Sequence, residues 1–103
     1  MNTLIVNRQQ VEVNDEGYMK NPAQWTTEWA NQVAAEYGIM LTDKHMEVLN
    51  WLRKKQAEGV ALSIRKVGQS GIVDIKEFYQ LFPGGPLKVS SKIAGIPKPV
   101  SCI

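Results

Sequence analysis

The spacing of apolar side chains along this chain changes once, from every second residue to every third or fourth. Thr3-Leu4-Ile5-Val6-Asn7 is β-branched and apolar, Arg8-Gln9-Gln10 is polar, and Val11-Glu12-Val13 alternates again. That pattern predicts a small β-hairpin within residues 1–18, with Asn14-Asp15-Glu16-Gly17 supplying the following turn. A two-stranded hairpin is marginal in water and must lean on other elements. Asn21-Pro22 punctuates the chain, and Trp25 is expected to plug the hairpin onto the helices that follow.

The remainder reads as helices. Thr26 or Thr27 can cap a helix running to about Tyr37, ended by Gly38, with Trp29, Val33 and Tyr37 on one face. Thr42 caps a second helix to about Ala57, closed by Glu58-Gly59. Its buried stripe is His45, Val48, Leu49 and Leu52, leaving Arg53, Lys54 and Lys55 mostly solvated. A third helix is expected over Ala61 to about Gln69, broken by Gly71. Asp74 followed by Glu77 has capping-box spacing for a fourth helix through Leu81, with Ile75, Phe78, Leu81 and Phe82 pointing inward. Pro83-Gly84-Gly85-Pro86 is a tight elbow, and a last short helix runs from about Leu87 to Ile93. The expected fold is α+β: one domain with an N-terminal hairpin (1–18), a small orthogonal bundle of about five helices (19–93) and an extended C-terminal arm (94–103).

The arm carries the chemistry. Pro97 and Pro99 each fix φ, lack an N–H and push the preceding residue out of the helical region. From Gly95 onward the chain should be extended and semi-stiff, and Gly95 to Cys102 spans at most ~25 Å at ~3.3 Å per residue. Cys102 is the single cysteine, so no internal disulfide is available, which suits a reducing cytoplasm. A thiol there meets two opposed influences. The Ile103 carboxylate disfavours the thiolate, while Lys98, Lys88, Lys92 and Arg65 favour it if the arm folds back onto the helices.

Composition narrows the field without naming a function. At 103 residues, 44% hydrophobic and 21% charged, the chain fits one small domain that is stable without staples. No apolar run approaches a membrane span, and no basic-then-apolar secretion signal opens the chain. A net charge of +2 is too small to indicate a nucleic-acid partner. His45 is the only histidine and has no Cys or carboxylate at ligand spacing, so a packing or capping role is expected. No metal, haem or nucleotide site is visible, and no Cys, His and Asp constellation for catalysis in place.

Leu81-Phe82-Pro83-Gly84-Gly85-Pro86, then Lys92-Ile93-Ala94-Gly95-Ile96-Pro97-Lys98-Pro99 and Cys102-Ile103, resembles the signature of the DsrC/TusE family of small cytoplasmic sulfur carriers, which includes the gamma subunit of dissimilatory sulfite reductase. Glu12-Val13, Glu16-Gly17-Tyr18, Trp25 and Ile64-Arg65 also fall where that family has similar residues. The resemblance implies a persulfide carried on Cys102, with Arg65, Lys92 and Lys98 as electrostatic helpers and Gly95, Pro97 and Pro99 shaping the reach. It implies a sulfurtransferase donor of the TusBCD or DsrEFH kind, and a tRNA-thiolating enzyme or a sulfite reductase as acceptor. Two-cysteine members have a second cysteine eleven positions before the penultimate one; here that position is Ser91. Serine can neither close an intramolecular disulfide nor trap sulfur as a trisulfide. The single-cysteine pattern therefore resembles the TusE branch, which relays sulfur toward tRNA thiolation, with a DsrC paralogue in sulfur metabolism as the alternative.

Two readings of other classes compete. One is a regulatory or DNA-binding helix-turn-helix protein of the same superfamily: Ser63 to Gln69, a turn, and Asp74 to Phe82 have that spacing, with Lys76, Tyr79 and Gln80 as the candidate readers, although acids open the second helix. The other is a non-catalytic accessory subunit of a sulfite reductase, bound through the arm.

Overall fold

The computed structural model describes residues 2–6 and 8–98. Strands β1 (Asn2–Val6) and β2 (Gln9–Val13) pair antiparallel, with Leu4 opposite Val11 and Val6 opposite Gln9. Val6, Val11 and Val13 are buried, so the alternation seen in the sequence is the face that leans on the helices. Arg8 closes the hairpin at φ +67°, the one non-glycine residue with positive φ among those described. After β2, Asn14 organises the turn: its side-chain oxygen accepts from the backbone N–H groups of Glu16 and Tyr18, at 2.9 and 3.0 Å.

A 3-10 turn at Pro22–Gln24 follows, capped by Asn21, and five α-helices complete the described residues. They are α1 (Thr27–Glu36), α2 (Asp43–Ala57), α3 (Ile64–Gly68), α4 (Ile75–Leu81) and α5 (Pro86–Ile93). The first four start on the side chains of Thr26, Thr42, Ser63 and Asp74, each accepting from the backbone N–H three residues on. α5 has no such cap; Gly85 at φ +108° turns the chain and Pro86 opens the helix. The fold is α+β, as expected.

Several boundaries and faces differ from expectation. α3 begins at Ile64, because Ser63 rather than a residue near Ala61 supplies the cap. Tyr37 lies at the end of α1, and Ile75 opens α4; both are exposed rather than inward, since end residues can turn away from the core. His45 takes the structural role: its Nδ1 accepts from the Thr42 N–H at 3.1 Å and its Nε2 pairs with the Leu81 carbonyl at 2.9 Å, which requires the Nε2–H tautomer. It also meets Phe82 edge-on, with centroids 5.1 Å apart.

α5 is the hub. It packs against α1, α2 and α4, while α3 packs on α4. Pro86, Leu87, Val89, Ser90, Ser91 and Ile93 are buried, together with Ala94 and Ile96 beyond the helix end. This alters the expected division of the chain: Ala94, Gly95 and Ile96 belong to the core, and exposure begins at Pro97.

Ser90 returns its hydroxyl to the Leu87 carbonyl at 3.2 Å, but the Ser91 hydroxyl is fully buried and finds no partner among the described residues. An unpaired buried hydroxyl costs ~1–3 kcal/mol. Ser91→Ala is therefore expected to leave the fold unchanged and raise the urea midpoint by the equivalent of ~1 kcal/mol or more. A loss of stability in that variant would contradict this.

Candidate functional site

The site is built from the end of α5. An α-helix leaves its last carbonyls without internal partners, and burying them requires donors from elsewhere. Gly95 supplies the local part. At φ +69° it allows the Gly95 N–H to reach the Lys92 carbonyl and the Ile96 N–H to reach the Ser91 carbonyl, both at 3.2 Å. That pair of bonds is a Schellman motif, and Ile96 is buried beneath it.

Side chains remote in sequence supply the rest. Trp29 Nε1–H donates to the Lys92 carbonyl and Trp25 Nε1–H to the Ile93 carbonyl, each at 3.0 Å. Arg53 donates through Nη1 to the Ala94 carbonyl at 2.9 Å and through Nη2 to the Pro22 carbonyl at 3.2 Å. Its guanidinium carbon lies 4.5 Å from the centroid of a Trp25 ring, a cation–π stack. Burial lowers the Arg53 pKa below its ordinary value, but the group stays charged at neutral pH. Gly95 is pressed into this assembly so closely that a Cβ there would lie 2.5 Å from Trp25 Cδ1 and 3.1 Å from Met19 Sδ.

Two expectations are corrected here. Trp25 closes on the root of the arm rather than plugging the hairpin, because its N–H faces a helix-end carbonyl. Arg53 is half-buried rather than solvated. One sequence signal pointed to it: Arg53 lies four residues after Leu49, on the edge of the buried stripe.

The remaining expected residues separate into two groups. Lys98 donates to Glu16 at 2.9 Å, and Lys92 Nζ donates to the Tyr37 hydroxyl at 2.9 Å while lying 5.3 Å from the Tyr18 ring centroid. Tyr18 is buried and its hydroxyl donates to the Lys88 carbonyl at 3.3 Å, tying the turn after β2 to α5. Lys88, Lys92 and Lys98 all act on Glu16, so three lysines and one carboxylate surround the point where the arm leaves. Arg65 is exposed on α3, and no hydrogen bond or ion pair among the described residues ties its side chain to that group. Pro97 is exposed; Pro99 and Cys102 lie outside the described residues.

The pair α3–α4 approaches closely because Gly68 carries no Cβ, where one would sit 2.6 Å from Ile75 Cγ1. Lys76, Tyr79 and Gln80 are exposed, but Asp74 and Glu77 place two carboxylates at the start of α4, where a phosphate backbone would have to approach.

The Glu16 carboxyl is held below its ordinary value of 4.5 first by the hydrogen bond from Lys98, which desolvation opposes, and then by the charges of Lys98, Lys88 and Lys92. A depressed carboxylate contributes to docking above its unfolded pKa, and the contribution is lost as pH falls through the folded one. The Lys98–Glu16 contact is thus expected to release on acidification below 4.5. Side-chain carboxyl NMR should give Glu16 a midpoint under 4.5, moving up in Lys98→Met; an unmoved midpoint would contradict the assignment.

Comparison with known proteins places this geometry. The family described as "DsrC like protein" matches residues 5–103. Sulfurtransferase TusE of Buchnera aphidicola subsp. Schizaphis graminum is 38% identical, covering 92% of this chain and 90% of its own. Sulfurtransferase TusE of Escherichia coli K12 is 36% identical, covering 97% and 99%. Among solved structures, DsrC of Allochromatium vinosum superposes with TM-score 0.83 at 31% identity, covering 98% of this chain and 97% of that one. The oxidized gamma subunit of dissimilatory sulfite reductase from Archaeoglobus fulgidus gives TM-score 0.83 at 27% identity, covering 99% and 100%. With most of the hairpin and all five helices inside the matched span, the chain belongs to the DsrC-like family.

Proposed function

We propose that this protein is a sulfur carrier that accepts a persulfide sulfur on Cys102 and delivers it to a second protein. The observation that carries the reading is the chain's one cysteine, six residues beyond a buried, pinned Ile96, in a family whose curated relatives are sulfurtransferases. The Cys102 thiolate attacks the outer sulfur of a donor persulfide R–S–SH. The donor S–S bond breaks, R–S⁻ leaves and takes up a proton, and Cys102–S–SH forms; no net oxidation occurs. Delivery repeats the exchange, with a thiolate of the acceptor as attacker. Such transfer needs access and an attacking thiolate more than an acid–base pair.

Ser91 supports a one-cysteine relay. It is buried in α5 and carries a hydroxyl rather than a thiol, so intramolecular disulfide chemistry has no partner at that position. The TusE-like reading, in which sulfur moves from a sulfurtransferase donor toward tRNA thiolation, fits the single cysteine and the curated relatives better than a two-cysteine role with sulfite reductase. Lys98 and Lys92 stand at the exit of the arm as electrostatic helpers for an anionic persulfide; Arg65 joins them only if the tip reaches α3. No helix of the described residues is long and apolar enough to cross a membrane.

Incubation with a persulfide-loaded sulfurtransferase and intact-mass analysis tests the proposal. Wild type is expected to gain one sulfur atom, about 32 Da, and Cys102→Ser none. An unmodified wild type beside a competent donor would overturn it.

A further inference from the structure

We propose that Lys88 and Lys92, with the Lys98–Glu16 pair beside them, form a docking site for an acidic segment of the protein that exchanges sulfur with this chain. The choice of partner rests on the sulfur-carrier reading; the site itself rests on the fold.

The hub helix dictates what it can show. In α5, Pro86, Leu87, Val89, Ser90, Ser91 and Ile93 are buried, so Lys88 and Lys92 are its whole outward face. They stand one turn apart, which sets like charges side by side. The helix has no acidic residue, and among the described residues no carboxylate forms an ion pair with either lysine. Lys44 and Lys55, by contrast, each pair with a glutamate three residues on. A helix face built only to be solvated mixes its signs, as α2 does; this one does not.

The ammonium of Lys92 is also held in place. It donates to the Tyr37 hydroxyl at 2.9 Å and lies 5.3 and 5.5 Å from the ring centroids of Tyr18 and Tyr37. Gly17 passes close by without a side chain: a Cβ there would lie 3.5 Å from Lys92 Nζ. A neutral hydroxyl and two ring faces leave the charge uncancelled, and a cation already positioned loses less freedom when an anion binds.

The molecule supplies its own example of the ligand. Glu16 accepts from Lys98 at 2.9 Å, and the charges of Lys88 and Lys92 act on the same carboxylate. A carboxylate is thus the anion this corner already attracts. Residues four apart on a helix have Cβ atoms ~6 Å apart, close to the ~6.6 Å between alternate residues of an extended strand. An extended segment with acids at alternate positions fits that spacing. A nucleic-acid backbone matches it less well, because it draws affinity from many cations in a row, and exposed Asp15 and Glu16 would oppose its phosphates all along the site. Lys98 precedes Cys102 by four residues, a chain length of at most ~13 Å, so a protein seated here is within reach of the thiol.

The test is an NMR titration of the full chain with a blocked peptide carrying glutamates at alternate positions. Backbone signals of residues 15–18, 88 and 92 are expected to shift, and binding to weaken as salt rises from about 20 to about 200 mM. Lys88→Met and Lys92→Met should each weaken binding about two- to fivefold, and the charge-matched Lys66→Met on α3 by less than about twofold. Glu16→Gln should tighten binding by about two- to fivefold because it removes the resident competitor. Glu28→Gln on α1, the same change of charge elsewhere, should leave it unchanged. An excess of the peptide should also slow sulfur uptake from a persulfide-loaded sulfurtransferase. Equal losses in Lys66→Met, shifts centred elsewhere, tighter binding of an oligouridylate of the same charge, or bound peptide that leaves uptake unchanged would each overturn the proposal. Should Lys92→Met fail to fold, Lys88→Met, at an exposed position, decides. If wild type takes up no sulfur even without peptide, the carrier reading fails, and the titration still judges the site.

Discussion

The end of α5 poses one physical problem on which much of the molecule turns: a helix C-terminus is buried, and its carbonyls cannot be satisfied by water. Gly95 resolves part of it locally by adopting φ +69°. The remainder is met by two indole N–H groups and a guanidinium drawn from α1, the 3-10 turn and α2. Four elements are thereby fastened at one point, and the last segment leaves from that point.

The hairpin is held by the same junction. Tyr18 reaches the Lys88 carbonyl, and Met19, paired with Val13 in an isolated bridge, lies beneath Gly95. The turn between them brings Glu16 to Lys98, so the N-terminal element receives the first exposed residues of the arm. An exposed ion pair of this kind contributes little to stability, and its value lies in direction. The two-stranded sheet, marginal alone, is stabilised by Val6, Val11 and Val13 packing into the core.

This division of labour suits a carrier. A protein that hands a sulfur atom from one partner to another needs a rigid body that partners can recognise and a tip that enters their sites. The described residues hold no group of three His, Cys, Asp or Glu side chains placed for a metal ion, and the one histidine is committed to holding Thr42 and Leu81 together.

Local features were legible from the sequence. The hairpin, the caps at Thr26, Thr42 and Asp74, and the stripe His45, Val48, Leu49 and Leu52 all appear where spacing places them, because each depends on residues within a few positions. Face assignments failed at Tyr37 and Ile75, at helix ends where periodicity constrains a side chain least. The arm was only partly legible: Gly95, expected to open an extended stretch, instead ends α5 in the left-handed conformation, exposure begins at Pro97, and Pro99 lies outside the described residues. What only the tertiary structure decided is where the arm begins, and what holds it. The bond from Trp25 to Ile93 spans 68 positions and that from Arg53 to Ala94 spans 41. Partners so distant are chosen by how helices pack, and no local pattern records that choice.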